Sequence, residues 1–437
     1  MEIQTSARLQ EKNNLIMLYN DMSKILVIGC GNVGSVGLHK MAQYPKTFSE
    51  IHVVGRTLSK CETVRDSVKK KTKGKVDLII HTVDVGKSGV FLDLLKEVKP
   101  ELVVNWGSPY DNLVVMDACL EYGVRYIDTA CYEHPDKYGF SYEKQLAKNE
   151  AFEKKGLLAI LGIGFDPGVS NIFSAYARDY LFDKIETIDI LDCNGGSKDD
   201  KIKFAPNFDP EINLRELILP IKFWENKKWR ESGKLIDDDA PYFEFNFPEA
   251  GKFTPYLMYH EELETIPTHI PGLKRIRFWM TFSKNYLTYL RVLYNVGLTR
   301  IDPIKYDGKD VVPVKFLKEI LPKGKDFNSS YKGKTNIGNI IVGTKNGKKK
   351  MVYIYNVCDH HEAYKETGGN AIGYTTAIPT VTCAKLVLEG KWGGIGVKNV
   401  EDKSLDSKVF LEEMPKLGLS VVVKNLKDIP SALKKNY

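Results

Sequence analysis

The 437 residues predict an α/β protein: a doubly wound parallel sheet carrying an inserted α+β domain for substrate binding or dimerisation. Three observations lead there. From Lys24 to Gly164 short apolar segments alternate with longer amphipathic ones, the pattern of a parallel sheet wrapped by helices. Three glycines stand at the first strand-to-helix junction. After "GIGFDPGVSN" the rhythm breaks, and the length exceeds what one compact core usually holds.

The predicted strands are "KILVIG", "IHVVG", "VDLIIHTV", "ELVVNWG", "VRYIDTA" and "LLAILGIG", apolar on both faces as a sheet covered twice requires. The spacing predicts helices over Val33–Tyr44, Ser59–Lys70, Gly89–Val98, Asn112–Tyr122 and Tyr142–Lys155. Beyond them Lys184–Cys193, Arg275–Phe282 and Leu290–Leu298 read as strands of a mixed sheet, and Asn346-Gly347 as a tight hairpin turn. Ala371–Glu389 returns to helical spacing despite Pro379. The division expected is an N-terminal extension over 1–22, a nucleotide-binding domain over 23–165, a substrate-binding and dimerisation domain over 166–367, and a segment over 368–437 returning to the first domain.

Composition narrows the function. The net charge of +7 is modest, and the lysine runs Lys69–Lys71 and Lys348–Lys350 lack interleaved aromatics, so they read as solvated faces and not as a nucleic-acid surface. Seven scattered cysteines without a C-x-x-C pair, and no signal peptide, point to the reducing cytosol. No apolar run is expected to span a membrane.

Gly29, Gly31 and Gly34 form G-x-G-x-x-G between an apolar strand and a helix, the arrangement of a Rossmann domain receiving a pyrophosphate. Asn32 and Val33 fall inside the motif, where backbone N–H groups at the helix start hold an anion. The second strand ends "VVGRT". Where an NAD site wants an acid for the ribose hydroxyl, Arg56 offers a guanidinium suited to a 2′-phosphate, with Thr57 beside it. The cofactor is therefore NADP(H), and its set extends to Asp84, Asn105, Gly107, Ser108 and Pro167 along the carboxyl ends of the strands. Asp128 ends the fifth strand and is an acid facing the cleft. Cys131 has no base beside it and reads as a bystander thiol.

"GCGNVG", "GRTLSKCE", "VNWGSPY", "YIDTACYE" and "GIGFDPGVSN" resemble the saccharopine dehydrogenase-like oxidoreductases. "LDCNGG", "NFDPEINLRE", "IPGLKRIRFWMTF" and "YIYNVCDHHEAY" are similar to the branch that makes carboxynorspermidine or carboxyspermidine. The resemblance implies a cytoplasmic homodimer that condenses L-aspartate β-semialdehyde with putrescine or 1,3-diaminopropane and reduces the imine with NADPH. Saccharopine- or homospermidine-forming reductases, and a non-catalytic NADP-binding regulator, are the alternatives.

For that chemistry Arg275 and Arg277 share one face of a strand and suit an amino-acid carboxylate. Asp192, Glu211 and Glu362 suit ammonium groups, with Asp166, Glu261 and Asp359 as further acids. Histidine has the titration range for proton transfer; His360 leads, with His260 and Asp128 behind it. "CDHH" lacks a second ligand cluster, so no metal is expected.

Overall fold

The computed structural model describes residues 23–197, 202–206, 208–323 and 326–435, and the extension expected over 1–22 lies outside them. The first domain runs β1 (Lys24–Ile28), α1 (Asn32–Met41), β2 (Glu50–Gly55), α2 (Leu58–Lys71), β3 (Ile79–Thr82), α3 (Ser88–Val98), β4 (Leu102–Asn105), α4 (Asn112–Tyr122), β5 (Arg125–Asp128) and β6 (Leu158–Leu161). The predicted alternation is present. These strands are parallel in the order β3-β2-β1-β4-β5-β6, with Gly396–Asn399 added beside β6. The chain reverses its winding between β1 and β4, which puts the glycine turn at the crevice where such sheets bind ligands.

After the turn at Asp166, α5 (Val169–Tyr176) crosses to a second sheet. Its centre is β7 (Lys184–Cys193), which pairs parallel with Arg275–Thr281 on one side and antiparallel with Lys334–Lys345 on the other. Lys334–Lys345 and Lys348–Asp359 form the long hairpin expected at Asn346-Gly347, where both residues hold positive φ angles of 52° and 71°. Asn339 Nδ2 donates to the Ser170 carbonyl at 2.7 Å and to Ser174 Oγ at 3.0 Å, fastening α5 to this sheet. One hydrophobic core runs unbroken from Ile25 and Val27 of β1 to Ile188 and Ile190 of β7.

The structure departs from the sequence expectations at three places. The segment expected as a strand over Leu290–Leu298 instead forms the end of a helix, Lys284–Asn295, and the turn after it; within the helix Leu287 and Leu290 alone are buried, at helical spacing. The run of Leu, Val and Tyr suits a strand in composition, but its burial period is that of a helix. Helix Ala371–Leu388 is long and apolar enough to cross a membrane, yet 83% of it is buried inside the protein. It is the core helix against α1, β4 and β5. Third, the C-terminal segment does not return wholly to the first domain, because Val422–Asn425 pairs with Val352–Tyr355 at the edge of the second sheet.

Arg275 and Arg277 account for where that tail ends. They do share a face, but it is the buried outer face of the second sheet and not the cleft. Arg277 Nε donates to Asp189 Oδ1 at 2.7 Å and Arg275 Nη2 to Asp189 Oδ2 at 3.1 Å. Both also donate to the Leu433 carbonyl, at 2.6 and 2.8 Å. Their Nη2 groups and Arg277 Nε join β7 to the tail on this face, so neither is placed to clamp a substrate carboxylate.

Burial alone would raise the Asp189 carboxyl, but Arg277 and Arg275 outweigh it and hold it below its ordinary value. A depressed carboxyl stabilises the fold fully above its unfolded value, near about 3.9, and that contribution is lost as pH falls through the folded one. Arg277→Ala leaves a buried carboxylate under-compensated, and thermal unfolding should show a loss of roughly 3–5 kcal/mol near neutral pH. The gap between wild type and variant should narrow as pH falls below the unfolded value and through the folded one.

Candidate active site

The glycine turn is built from close contacts. A Cβ on Gly34 would sit 2.1 Å from the Gly29 carbonyl oxygen, so the helix and the strand can approach this closely only without one. Over Gly31 a Cβ would meet nothing within 4 Å. The space above the turn is open, and α1 has neither a side-chain cap nor an acid in its first turn. Its first N–H groups therefore lack a protein acceptor from a capping side chain, as an anion site requires. Arg56 and Thr57 are exposed at the end of β2, Thr57 Oγ1 makes no cap bond, and no ion pair holds Arg56 among the described residues. Asp111 lies close enough to Arg56 to feel its charge. Asp84 Oδ1 accepts from the Gly86 N–H at 3.3 Å on the same rim. These groups fit a dinucleotide with a 2′-phosphate.

Other members of the expected cofactor set have structural roles. Asn105 Nδ2 donates to Asn112 Oδ1 at 2.9 Å and to the Tyr126 hydroxyl at 3.0 Å, while its Oδ1 accepts from the Gly107 N–H. It shapes the Trp106–Ser108 turn and leaves Gly107 and Ser108 at the rim. Asn32 bridges Asn328 and Asn370, tying α1 to the later chain. Val33 is partly buried beside the motif, and Pro167 is buried in the turn after β6.

Across the cleft from the glycines, two domains bring ionisable groups together out of water. Asp166, after β6, and Asp192, at the end of β7, are in hydrogen-bond contact. Among the described residues, Asp166 Oδ2 and Asp192 Oδ1 accept from no donor. Burial raises both carboxyls: Asp192 is pushed up to about 7, and Asp166 well above the usual range, with the charge of Asp192 adding to it. Two adjacent carboxyls at this burial hold one proton between them near neutral pH.

His260 stands over them, stacked on Phe278 at 4.1 Å between centroids. Its Nδ1 contacts Glu262 Oε2, and its Nε2 lies 3.1 Å from Glu216 Oε1. Burial opposes charge on the ring, but Glu262 and Glu216 carry it well above the ordinary imidazole value, so it is an imidazolium between two carboxylates. At the rim of this junction the Tyr110 hydroxyl donates to Glu211 Oε1 at 3.1 Å, and Lys318 Nζ lies 3.3 Å from Glu211 Oε2. The structure thus brings the candidates Asp192, Glu211, Asp166 and His260 to the domain junction and adds Glu216 and Glu262. The histidine and two acids were visible in "YHEE" and "FDPG"; their pairing was not.

His360 is not placed as a proton shuttle. It begins a helix, His360–Thr367, and is fully buried, with Nε2 3.0 Å from the Gly195 carbonyl oxygen and Nδ1 accepting from the Ala371 N–H. Both nitrogens are committed to the backbone, which fixes one neutral tautomer. Asp128 is also enclosed. Its carboxyl, pushed up to about 7 by burial, accepts from the Gly162 N–H and from Gln145 Nε2, both at 2.7 Å, and it locks β5 to β6 instead of facing the cleft. Glu362 is exposed and lines a surface cavity with Asp359, Lys365, Glu366 and Tyr374, apart from the junction acids. Cys131 is buried and its thiol raised well above its usual value by burial, leaving it inert at neutral pH. Among the described residues no group of three or more His, Cys, Asp and Glu is arranged to hold a metal ion.

The cysteines are not all separate. Cys30, between the first two glycines, is bonded to Cys61 in the first turn of α2, across a Cα separation of 5.4 Å. The two ends of the expected cofactor site are thereby linked covalently, and absence of a C-x-x-C spacing was a poor guide to pairing. Thiol titration of the denatured, unreduced protein should give five reactive cysteines, Cys119, Cys131, Cys193, Cys358 and Cys383, and reduction should expose all seven.

Comparison with known proteins agrees with this arrangement over both domains. Residues 25–160 match the model of the saccharopine dehydrogenase NADP binding domain, and residues 164–419 that of the saccharopine dehydrogenase C-terminal domain. The chain is 42% identical to a carboxyaminopropylagmatine dehydrogenase of Synechocystis sp. over 91% of its length and 96% of the relative's. It is 40% identical to a carboxynorspermidine synthase of Vibrio alginolyticus, over 92% of its length and 97% of that relative's. Among solved structures, the apo L-Glu-forming saccharopine dehydrogenase of Saccharomyces cerevisiae shares the fold at a TM-score of 0.68 and 14% identity, covering 92% of this chain and all of that one. With an NADP-type rim on one domain and ionisable groups from the other closing over it, the chain belongs to the saccharopine dehydrogenase family of NADP-dependent oxidoreductases.

Proposed function

We propose that the protein carries out an NADPH-dependent reductive condensation in polyamine biosynthesis, joining L-aspartate β-semialdehyde to a primary amine of a polycation. The observation that carries this reading is the end-to-end identity of 40–42% with relatives named for carboxynorspermidine and carboxyaminopropylagmatine. The junction supports it, because Asp166, Asp192, Glu211, Glu216 and Glu262 gather more negative charge than His260 and Lys318 offset. A cation entering there is attracted and a dicarboxylic amine is repelled. The amine is putrescine or 1,3-diaminopropane on the synthase reading, giving carboxyspermidine or carboxynorspermidine. The name of the Synechocystis relative favours agmatine as a second candidate.

When bound, NADPH supplies the hydride. The chain's part is to hold the dinucleotide at Gly29, Gly31 and Gly34, to receive the 2′-phosphate at Arg56 and Thr57, and to keep the reacting carbon dry between the domains. We take the protein to be cytoplasmic and homodimeric. The exposed apolar residues Val292, Val296, Tyr306, Phe316 and Ile320 support self-association.

NADPH absorbance followed with the semialdehyde and, separately, putrescine, 1,3-diaminopropane, agmatine or glutamate tests the reading. Oxidation should require one of the polycations and not proceed with glutamate alone; turnover with glutamate only would overturn it. Arg56→Ala should raise the KM for NADPH by roughly 10–100-fold, the worth of a hydrogen bond to a charged group, and leave the KM for NADH within about threefold. Equal losses for both cofactors would remove Arg56 from phosphate recognition.

A further inference from the structure

Imine formation from an ammonium and an aldehyde needs a group that takes one proton and gives one back, within a site closed to bulk water. His360 and Asp128 are committed elsewhere. The Asp166–Asp192 pair has the required composition: two carboxyls side by side, one in the turn that leaves the first sheet and one at the end of β7, each with a buried oxygen that no donor among the described residues reaches. Asp192 is 2% exposed and Asp166 is partly buried, with its Oδ2 out of contact with solvent. Glu262, fully buried beside it, keeps Oε1 without a partner. A buried carboxylate oxygen left this way is costly unless a donor arrives, and a substrate ammonium is such a donor.

We propose that Asp166 and Asp192, sharing one proton, are the acid–base pair of the condensation. This rests on the reaction proposed above and goes beyond it by naming the groups. The pair takes a proton from the substrate ammonium, which frees the amine to attack the aldehyde carbon. The C–N bond forms, and the amine proton passes to the carbonyl oxygen to give the neutral carbinolamine. The pair then returns its proton to that hydroxyl as the C–O bond breaks and water leaves. One proton enters and one leaves, so the pair ends as it began, and the resulting iminium is the species open to hydride.

The surroundings suit the exchange. His260 and Glu262 face both members, Asn194 Nδ2 donates to Asp192 Oδ2 at 2.8 Å, and Cys193, Tyr331 and Tyr353 are the other titratable groups within electrical reach of Asp192. The positive charge of His260 favours the ionised form of both carboxyls and so works against their burial.

The test uses Asp192→Asn and Asp166→Asn in the whole protein, with kcat followed across pH and NADPH binding measured by fluorescence. Wild type should give a bell-shaped profile whose acidic limb reports loss of the proton-accepting form. Each variant should lose roughly 100-fold or more in kcat, within the range for general acid–base groups, lack that limb and bind NADPH normally. Both variants turning over within about threefold of wild type, with the limb unmoved, overturn the assignment while the reaction stands. Wild type that oxidises NADPH with no amine and aldehyde removes the reaction and the assignment together. Should the variants fail to fold, carboxyl-carbon NMR of the wild type decides: a pair titrating in two widely separated steps supports the shared proton, and two ordinary carboxylates exclude it.

Discussion

The working face of this protein depends on the buried carboxylate of Glu401, which ties three separate stretches of chain to one point. Its Oε1 accepts from Asn171 Nδ2 at 2.7 Å and from Thr265 Oγ1 at 2.6 Å. Asn171 in turn accepts from the Gly168 N–H at 2.9 Å, fixing the turn that presents Asp166. Thr265 ends the short loop that presents His260 and Glu262. Glu401 follows directly on Gly396–Asn399, the strand that closes the first sheet. The distant C-terminal part of the chain therefore sets the spacing between the Asp166 turn and the His260 loop, and with it the geometry of the junction. Glu401, Asn171 and Thr265 are all buried, so each bond in this network is made in a low-dielectric setting where losing a partner is costly.

Burying so many ionisable groups works against stability. Hydrophobic packing of the same volume is often as stable as a buried ion pair or more so, and the junction holds Asp166, Asp192, Glu216, His260 and Glu262 at once. The continuous core from β1 to β7 supplies the stability that tolerates them. The Asp189 cluster on the other face differs: its acid is matched by two guanidiniums and by Trp279. In the first set the carboxylate is met by donors on both oxygens, although Arg275 Nε keeps none; in the second, carboxyl oxygens are left without donors where the two sheets meet.

What the sequence made legible was what local spacing encodes. The glycine motif, Arg56 after the second strand, the parallel first sheet and the Asn346-Gly347 turn all follow from residues near one another in the chain. Arg275 and Arg277 were correctly placed on one face, but period two does not say which face looks into the cleft, and Asp189 decides that through a neighbouring strand. His360 looked like a shuttle because histidine titrates near neutrality, yet the carbonyl of Gly195 and the N–H of Ala371 claim both nitrogens. His260 is raised by Glu262, two residues along, and also by Glu216, which is far away in sequence and folds onto it. The Cys30–Cys61 bond and the return of Val422–Asn425 to the second sheet are likewise contacts between distant segments, invisible to spacing.

The fold is shared with a saccharopine dehydrogenase at 14% identity, and a shared fold at that distance does not choose the amine. On the proposed reading, that choice comes from the charge at the junction. An amine that brings carboxylates of its own adds repulsion to a site already rich in them, and at a few ångströms in a partly dry cleft each like-charge contact costs on the order of a few kcal/mol. An amine ending in a second ammonium or a guanidinium meets the opposite sign and supplies donors to oxygens, such as Glu262 Oε1, that the protein leaves unpartnered. The same acids would thus discriminate against a dicarboxylic amine and hold one cation in place while its neighbouring nitrogen loses a proton, so selection and reactivity draw on one electrostatic arrangement.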